Sequence, residues 1–400
     1  MRVPASRLVV FLSIVGSVVA LLHGYAWSRV VHDPAWPAPI AVVLTVLLVA
    51  LAIFLPTSLV LARTARAPWN QRLGWAGYVW LGAIFYLDVS LLALDLGRAL
   101  LEGVAYASTG SALPSSEGVG TARALAGAAS LLALGLVGMG ARRGLGDPIV
   151  REVEVPIAGL DPALDGFRIV QLSDVHVGPV IRRAFVERLV AKVGSLAPDL
   201  VAITGDLVDG SVAELASEVA PLAELRAPAG VFFVTGNHEY FSGADAWSAH
   251  VETLGMTTLR NRHVEIAHAG ARFVLAGVDD AHAPRFGGHT DMKAALAGRP
   301  PALPVVLLAH QPRSVREAAE LGVALQISGH THGGQMQPFG ALVRVEQPFL
   351  RGLHRVGETA VWVSEGTGTW GPPLRIGTHS EISVITLRAA EASAGARTAS

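Results

Sequence analysis

The sequence predicts a chain in two parts: an N-terminal four-helix transmembrane region and a C-terminal α/β domain. Three observations carry this. Of 400 residues, 51% are hydrophobic and only 16% charged, with a mean hydropathy of +0.46, a balance foreign to an ordinary soluble protein. Before about residue 145 the apolar residues gather into runs of membrane-spanning length. After Pro148 the runs shorten to strand length and alternate with helical patterns. The expected boundaries are 1–145 for the transmembrane domain, 146–388 for the α/β domain and 389–400 for a disordered tail.

A helix needs about 20 residues to cross the hydrocarbon core. Four stretches reach that scale, at Leu8–Trp27, Ile40–Ala62, Leu73–Leu96 and Ala124–Gly140. Pro56 falls inside the second, where neighbouring helices can tolerate the kink it invites. Trp27, Trp36, Trp69 and Trp75 cluster near the span ends, where amphipathic rings suit the headgroup layer. The first segment also resembles a signal peptide, with a basic start and small residues near Ala20; its removal would leave three spans.

Arginines set the expected orientation, because cytoplasmic loops carry the excess of basic residues. Arg2 and Arg7 precede the first span, Arg63, Arg66 and Arg72 fill the second loop, and Arg142, Arg143 and Arg151 follow the fourth. In the other loops Arg29 lies beside Asp33, and Arg98 and Arg123 are diluted by Glu102 and Glu117. The reading is a multi-pass protein of the inner (cell) membrane with its C-terminal domain in the cytoplasm. Asp88 and Asp95, seven residues apart, share one face of the third span. Either they form an ion path, or Asp95 sits at the interface and Asp88 faces the bundle interior; the lack of a basic partner within the spans favours the second.

In the C-terminal part, strands are expected at Phe167–Leu172, Leu200–Thr204, Val231–Thr235, Arg272–Ala276, Pro304–Ala309, Leu325–Ser328, Val361–Ser364 and Ile382–Leu387. Amphipathic helices are expected at Arg182–Leu196, Val212–Leu225, Ala244–Leu254 and Ser314–Glu320. Buried strands alternating with helices imply sheets covered by helices. In such folds the loops at the carboxyl ends of strands form the site.

Polar blocks occupy those loops: Asp174-Val175-His176, Gly205-Asp206, Gly236-Asn237-His238-Glu239, Ala309-His310 and Gly329-His330-Thr331-His332. Singly most are weak, since an Asp after a strand is often a turn residue and a lone His a core residue. Gly236 to Glu239 has fewer structural uses, and in His330-Thr331-His332 alternate residues of an extended segment would share one side. Zero cysteines exclude disulfides, thiolate sites and Fe–S clusters, so a metal would take nitrogen and oxygen ligands. A formal net charge of −1 lacks the basic excess of a nucleic-acid binder.

Taken in order, with Gly333-Gly334-Gln335 and the late run Gly366 to Arg375, the blocks resemble the calcineurin-like metallophosphoesterase superfamily and its membrane-anchored YkuE-like branch. The resemblance covers roughly residues 150–388. It implies a four-layer αββα sandwich with two metals between the sheet edges. On this resemblance Asp174, His176 and His332 hold one metal, Asn237, His310 and His330 the other, and Asp206 bridges them. His238 matches the histidine beside the scissile phosphate, and Glu239 stands where many members carry Asp.

The chemistry agrees with that assignment. A phosphoester repels nucleophiles, and two metals about 3.5–4 Å apart neutralise its charge and lower the pKa of a bound water toward about 7. A mixed Asp, His and Asn set suits Mn, Fe or Zn. His238 would either protonate the leaving alkoxide or stabilise the phosphoryl oxygens, and Glu239 either orients a ligand or is solvated at a helix start. Asp209, Asp279, Asp280 and His282 either line the pocket or serve turns and caps. Arg375 either binds substrate phosphate or makes a surface salt bridge. The expectation is a membrane-anchored dinuclear hydrolase of phosphomonoesters or phosphodiesters acting through a metal-bound hydroxide, with a phospholipid or nucleotide-linked lipid as candidate substrate and no nucleic acid. The alternative is a transporter or sensor with a regulatory phosphoesterase-like domain.

Overall fold

The computed structural model describes residues 5–64, 69–110 and 118–390. Arg2, Arg66 and Glu117, which enter the orientation reading, lie outside the described residues, as does the expected tail from residue 391. The chain divides into two compact units, one up to Arg142 together with Gly371–Leu374, the other from Arg143 onward.

The first unit holds four helices long and apolar enough to cross a membrane: α1 (Ala5–Trp27), α2 (Ala38–Thr64), α3 (Trp69–Thr109) and α4 (Val119–Gly144). A π-helical turn at Ser28–His32 extends α1. α2 runs unbroken through Pro56, with the Thr57 hydroxyl donating to the Ile53 carbonyl at 2.7 Å. At 41 residues α3 outgrows the expected span; its length, about 60 Å, is twice the hydrocarbon thickness. The helix runs on through Gly97 and Gly103, and Gly110, with φ of +69°, ends it. Asp95 accepts from the Tyr25 hydroxyl at 2.7 Å and pairs with Arg29 Nε at 3.0 Å. Asp88 is buried, and neither of its oxygens has a hydrogen-bond partner among the described residues.

The second unit is built on two six-stranded sheets. Its strands are β1 (Ile149–Ala158), β2 (Arg168–Leu172), β3 (Leu200–Ile203), β4 (Val231–Phe233), β5 (Thr257–Thr258), β6 (Arg262–His268), β7 (Ala271–Gly277), β8 (Val305–Leu308), β9 (Leu325–Ser328), β10 (Gly352–Val356), β11 (Thr359–Val363) and β12 (Glu381–Ala390). One sheet has the order β1-β12-β2-β3-β4-β5, the other β10-β11-β9-β8-β7-β6. β2, β3 and β4 run parallel, as do β7, β8 and β9, so each set delivers its carboxyl ends to one edge.

Three apolar cores make the layers. Ile169, Leu200 and Phe232 of the first sheet meet Phe273, Leu275, Val306 and Ile327 of the second between the sheets. The outer face of the first sheet is covered by α5 (Arg183–Gly194), α6 (Val212–Val219) and α8 (Ala244–Thr253) through Val186, Leu215 and Trp247. α9 (Met292–Leu296) and α10 (Val315–Glu320) cover the second through Ala295 and Ala318. The result is the αββα arrangement. Short helices α7 (Asn237–Ser242) and α11 (Gly340–Glu346), like α9, were not expected, nor were β1, β5, β6 and β10. β12 extends two residues past the expected domain end at 388.

Candidate metal centre

The parallel strands place the polar blocks on one rim: Asp174 follows β2, Asp206 follows β3, Asn237 and His238 open α7 after β4, His310 follows β8, and His330 and His332 follow β9. Five of these residues have left-handed backbone, with φ of +54° at Asp174, +54° at His176, +52° at Asp206, +70° at His330 and +49° at His332. Such conformations cost non-glycine residues about 1–2 kcal/mol each and concentrate at functional sites.

Cross-strand hydrogen bonds hold the strained loops together. The His330 N–H donates to both Asp174 oxygens at 3.0 Å, His176 N–H to the Asp206 carbonyl at 3.1 Å, and His238 N–H to Asp206 Oδ1 at 2.8 Å. Glycines permit the approach. A Cβ on Gly329 would lie 2.2 Å from Asp174 Oδ2, and one on Gly236 2.2 Å from Asp206 Oδ1, so any side chain there would displace a site carboxylate.

Among the described residues donor atoms converge into three groups, each within 4.8 Å: Asp174 with His176 and His332, Asp206 with His310 and His330, and His176 with Asp209 and His238; the first two hold the donors that the resemblance assigns to metal. In the first group His176 Nε2 lies 3.0 Å from His332 Nε2, and His332 Nε2 lies 3.5 Å from Asp174 Oδ1. In the second, His310 Nε2 sits 3.1 Å from Asp206 Oδ2 and 3.2 Å from His330 Nδ1. Asp206 Oδ2 also faces His176 Nε2 at 3.9 Å, which places this carboxylate between the two groups.

The donor set fits divalent cations. Burial opposes a charge on His310, but the Asp206 and Asp174 carboxylates outweigh it and hold its pKa well above the usual histidine range. Its Nδ1 hydrogen goes to the Thr204 carbonyl at 2.7 Å, so Nε2 is the nitrogen that faces a carboxylate oxygen and another ring nitrogen, where a cation would take the place of its proton. Burial and the neighbouring His310 charge push His330 down to about 3; burial and His176 push His332 well below the usual histidine range. Neutral imidazoles are metal ligands. The Asn237 side-chain oxygen is buried with no hydrogen-bond partner among the described residues, as expected of an acceptor reserved for a cation.

Asp209 emerges as a central residue. Its Oδ1 accepts from His176 Nδ1 at 2.9 Å and lies 2.6 Å from His238 Nδ1. Burial opposes a charge on His238, but the carboxylates of Asp206 and Asp209 outweigh it and push its pKa up to about 9. The signal was the Gly205-Asp206-x-x-Asp209 run, a second carboxylate on the same loop. Glu239 is buried, not solvated, and accepts the backbone N–H groups of Gly236, Asp206 and Leu207 at 2.6, 2.9 and 2.8 Å.

The remaining candidates have structural partners. Arg375, read as a phosphate ligand or a surface ion pair, is fully buried, has no ion pair among the described residues and donates to the carbonyls of His332, Glu365, Gly366 and Gly368. Its Nη2 also lies 3.3 Å from His332 Nδ1. Asp279 binds Arg260 at 2.8 and 3.0 Å. Asp280 takes Gln311 Nε2 on both oxygens and the His282 N–H and Nδ1 on one. These three tie the loop after β7 to its surroundings.

Residues 167–334 match the calcineurin-like phosphoesterase family model. An uncharacterized metallophosphoesterase of Helicobacter pylori is 39% identical over 260 residues, 64% of this chain and 68% of that protein. The chain belongs to the calcineurin-like metallophosphoesterase family. YkuE of Bacillus subtilis, named an uncharacterized metallophosphoesterase, is 32% identical over 56% of this chain and 80% of its own. A bovine transmembrane protein with metallophosphoesterase domain is 41% identical over 61% of this chain, and the match spans 58% of that relative's length. The matched residues hold Asp174, His176, Asp206, Asn237, His310, His330 and His332, all placed at strand ends of the two-sheet unit.

Proposed function

We propose that this metallophosphoesterase is a membrane-anchored, dinuclear metal-dependent hydrolase of phosphomonoesters or phosphodiesters. The observation that carries the reading is the set of opposed, buried acceptors around Asp206, together with the orphaned Asn237 oxygen. Asp174, His176 and His332 would hold one ion, Asn237, His310 and His330 the other, with Asp206 shared. Two divalent ions, Mn, Fe or Zn by ligand type, supply charge neutralisation for the phosphoryl oxygens and an ionised water at neutral pH.

The chain's own groups do the rest. Asp209 holds His176 in place through Nδ1 and keeps His238 protonated. His238 then carries the proton that the leaving alkoxide needs. Glu239 fixes the turns bearing Asp206 and Asn237 by gathering three N–H groups, and Arg375 fixes the His332 turn. The substrate is expected to be a phospholipid or nucleotide-linked lipid, with the protein in the inner (cell) membrane and its catalytic unit in the cytoplasm; the four apolar helices and the arginine-rich loops support this. A C-terminal alkaline phosphatase fusion that is active would reverse the orientation.

Detergent-purified protein assayed on a generic monoester and diester, with Mn²⁺ and after chelation, tests the activity. Chelator-sensitive turnover is expected. A transporter or sensor remains the competing reading, favoured by one observation, the buried and unpartnered Asp88; no turnover on either ester would favour it.

A further inference from the structure

We infer that the leaving group of the substrate carries an alkyl or acyl chain, seated on an apolar bowl beside His238. This rests on the phosphoesterase reading above and names its substrate class. The bowl is made by Phe241, Phe286 and Trp370, which are 59, 45 and 48% exposed although they come from three separate segments. Single exposed aromatics need no explanation, but grouped ones beside polar chemistry do. The His238 ring lies 5.3 Å from Phe241 and 6.1 Å from Trp370, and Phe241 lies 5.6 Å from Phe286. His238 therefore stands at a border, with the Asp209 carboxylate and the His176 ring at 4.6 Å on one side and these rings on the other.

Position then decides what the rings touch. In hydrolysis the water oxygen forms the new P–O bond, the P–O bond to the leaving group breaks, and the alkoxide takes the His238 proton. The alkoxide must lie within hydrogen-bond reach of His238, and its substituent therefore meets Phe241 and Trp370. The bowl is braced: the Gln335 amide clamps the Trp370 backbone, accepting from its N–H at 2.9 Å and donating to its carbonyl at 2.8 Å. Asp280, held by Gln311, anchors the loop that leads to Phe286.

Ring geometry separates a chain from a flat base. A base sandwiched between two rings needs parallel faces, whereas these rings meet at 68° for His238 and Phe241, 77° for His238 and Trp370 and 59° for Phe241 and Phe286. Steeply tilted rings make a concave apolar surface that a flexible chain contacts from several directions. The carriers of such chains, a membrane lipid or a free amphiphilic phosphoester, share this chemistry.

The test uses the full chain in detergent and a series of n-alkyl phosphates and their methyl diesters from ethyl to octyl, below micelle formation. kcat/KM is expected to rise about two- to fourfold per methylene over the first carbons, as apolar area leaves water. Phe241→Ser with Trp370→Ser should at least halve that dependence on a logarithmic scale, while Phe241→Leu, still apolar, should keep it. A flat series in the wild type with ethyl ester still hydrolysed, or a dependence unmoved in the serine variant, overturns the inference and leaves the phosphoesterase reading standing. Nucleoside phosphates cleaved over tenfold better than octyl esters also overturn it. Absence of chelator-sensitive turnover on every ester removes the parent reading and this one with it. Turnover of long-chain phospholipid in vesicles would identify a membrane source, and turnover of monomeric esters alone a free amphiphile; both support the class.

Discussion

Asp209→Asn is the sharpest perturbation of this site, because both contacts of the carboxylate use one oxygen. Oδ1 takes His176 Nδ1 at 2.9 Å and His238 Nδ1 at 2.6 Å, and an asparagine carbonyl can occupy the same place. The geometry survives while the charge goes. Burial opposes a charge on His238, yet the charge of Asp206 and both the hydrogen bond and the charge of Asp209 raise it from its ordinary 6.5 to about 9. That interval corresponds to about 3 kcal/mol. Losing the Asp209 charge should return on the order of 1 kcal/mol, or about one pH unit. The sign follows from the role: a protonated His238 donates, so activity falls as pH rises through its pKa. A lower pKa moves this alkaline limb of kcat/KM to lower pH. Because His176 also loses a charged partner, metal affinity should fall about 10–100-fold. The measurements are a pH–rate profile at saturating Mn²⁺ and a metal titration of the purified chain. An unmoved alkaline limb together with wild-type metal affinity would refute the role given to Asp209.

Three further outcomes are expected. Asp206→Asn should abolish metal-dependent hydrolysis, since the carboxylate faces both donor groups; full activity in that variant excludes a bridging role. Chelation should lower the unfolding temperature of the catalytic unit as well as stop turnover, because at 100-fold over Kd a bound ion stabilises by about 2.7 kcal/mol; a melting curve indifferent to EDTA would mean that no ion is held. Arg375→Met should lose about 3–5 kcal/mol, since it strands buried carbonyls of His332, Glu365, Gly366 and Gly368, and Arg375→Lys should recover only part because an ammonium lacks the planar fork; urea midpoints read both.

The sequence made the inside of the fold legible and hid its edges. All eight expected strands are interior, and the four unexpected ones, β1, β10, β5 and β6, are the outer strands of the two sheets. Interior strands are buried on both faces and read as continuous apolar runs. β1 reads Ile-Val-Arg-Glu-Val-Glu-Val-Pro-Ile-Ala, alternating charge with apolar residues, the signature of an edge with one wet face. β5 has only two residues, too few for any periodicity. At the site, residues that follow interior strands stood out as blocks and are brought together. Asp209 and Arg375 could be named as candidates but not given a role, because their work depends on partners far along the chain: Asp209 reaches His238, and Arg375 reaches back to His332. A buried arginine surrounded by carbonyls has no local sequence signature.

These two residues and Glu239 explain how so strained a rim persists. Five left-handed non-glycine residues represent about 5–10 kcal/mol of conformational cost, comparable with the whole stability of a domain. A bound ion worth a few kcal/mol cannot offset that alone, so the protein must hold the loops by itself. It does so with buried side chains: Glu239 gathers N–H groups from two turns, Arg375 gathers carbonyls from two others, and Asp174 grips the His330 N–H with both oxygens. Each such hydrogen bond contributes about 0.5–1.5 kcal/mol, and about 1.5–3 where a partner is charged, as Arg375 is, enough in aggregate to match the strain. The donors are thus assembled by backbone contacts before any cation arrives, and metal capture requires no further ordering of the chain. It follows that substitutions at Glu239 and Arg375 should weaken metal capture without removing a single donor, whereas loss of one histidine leaves the loops in place and opens one ligand position.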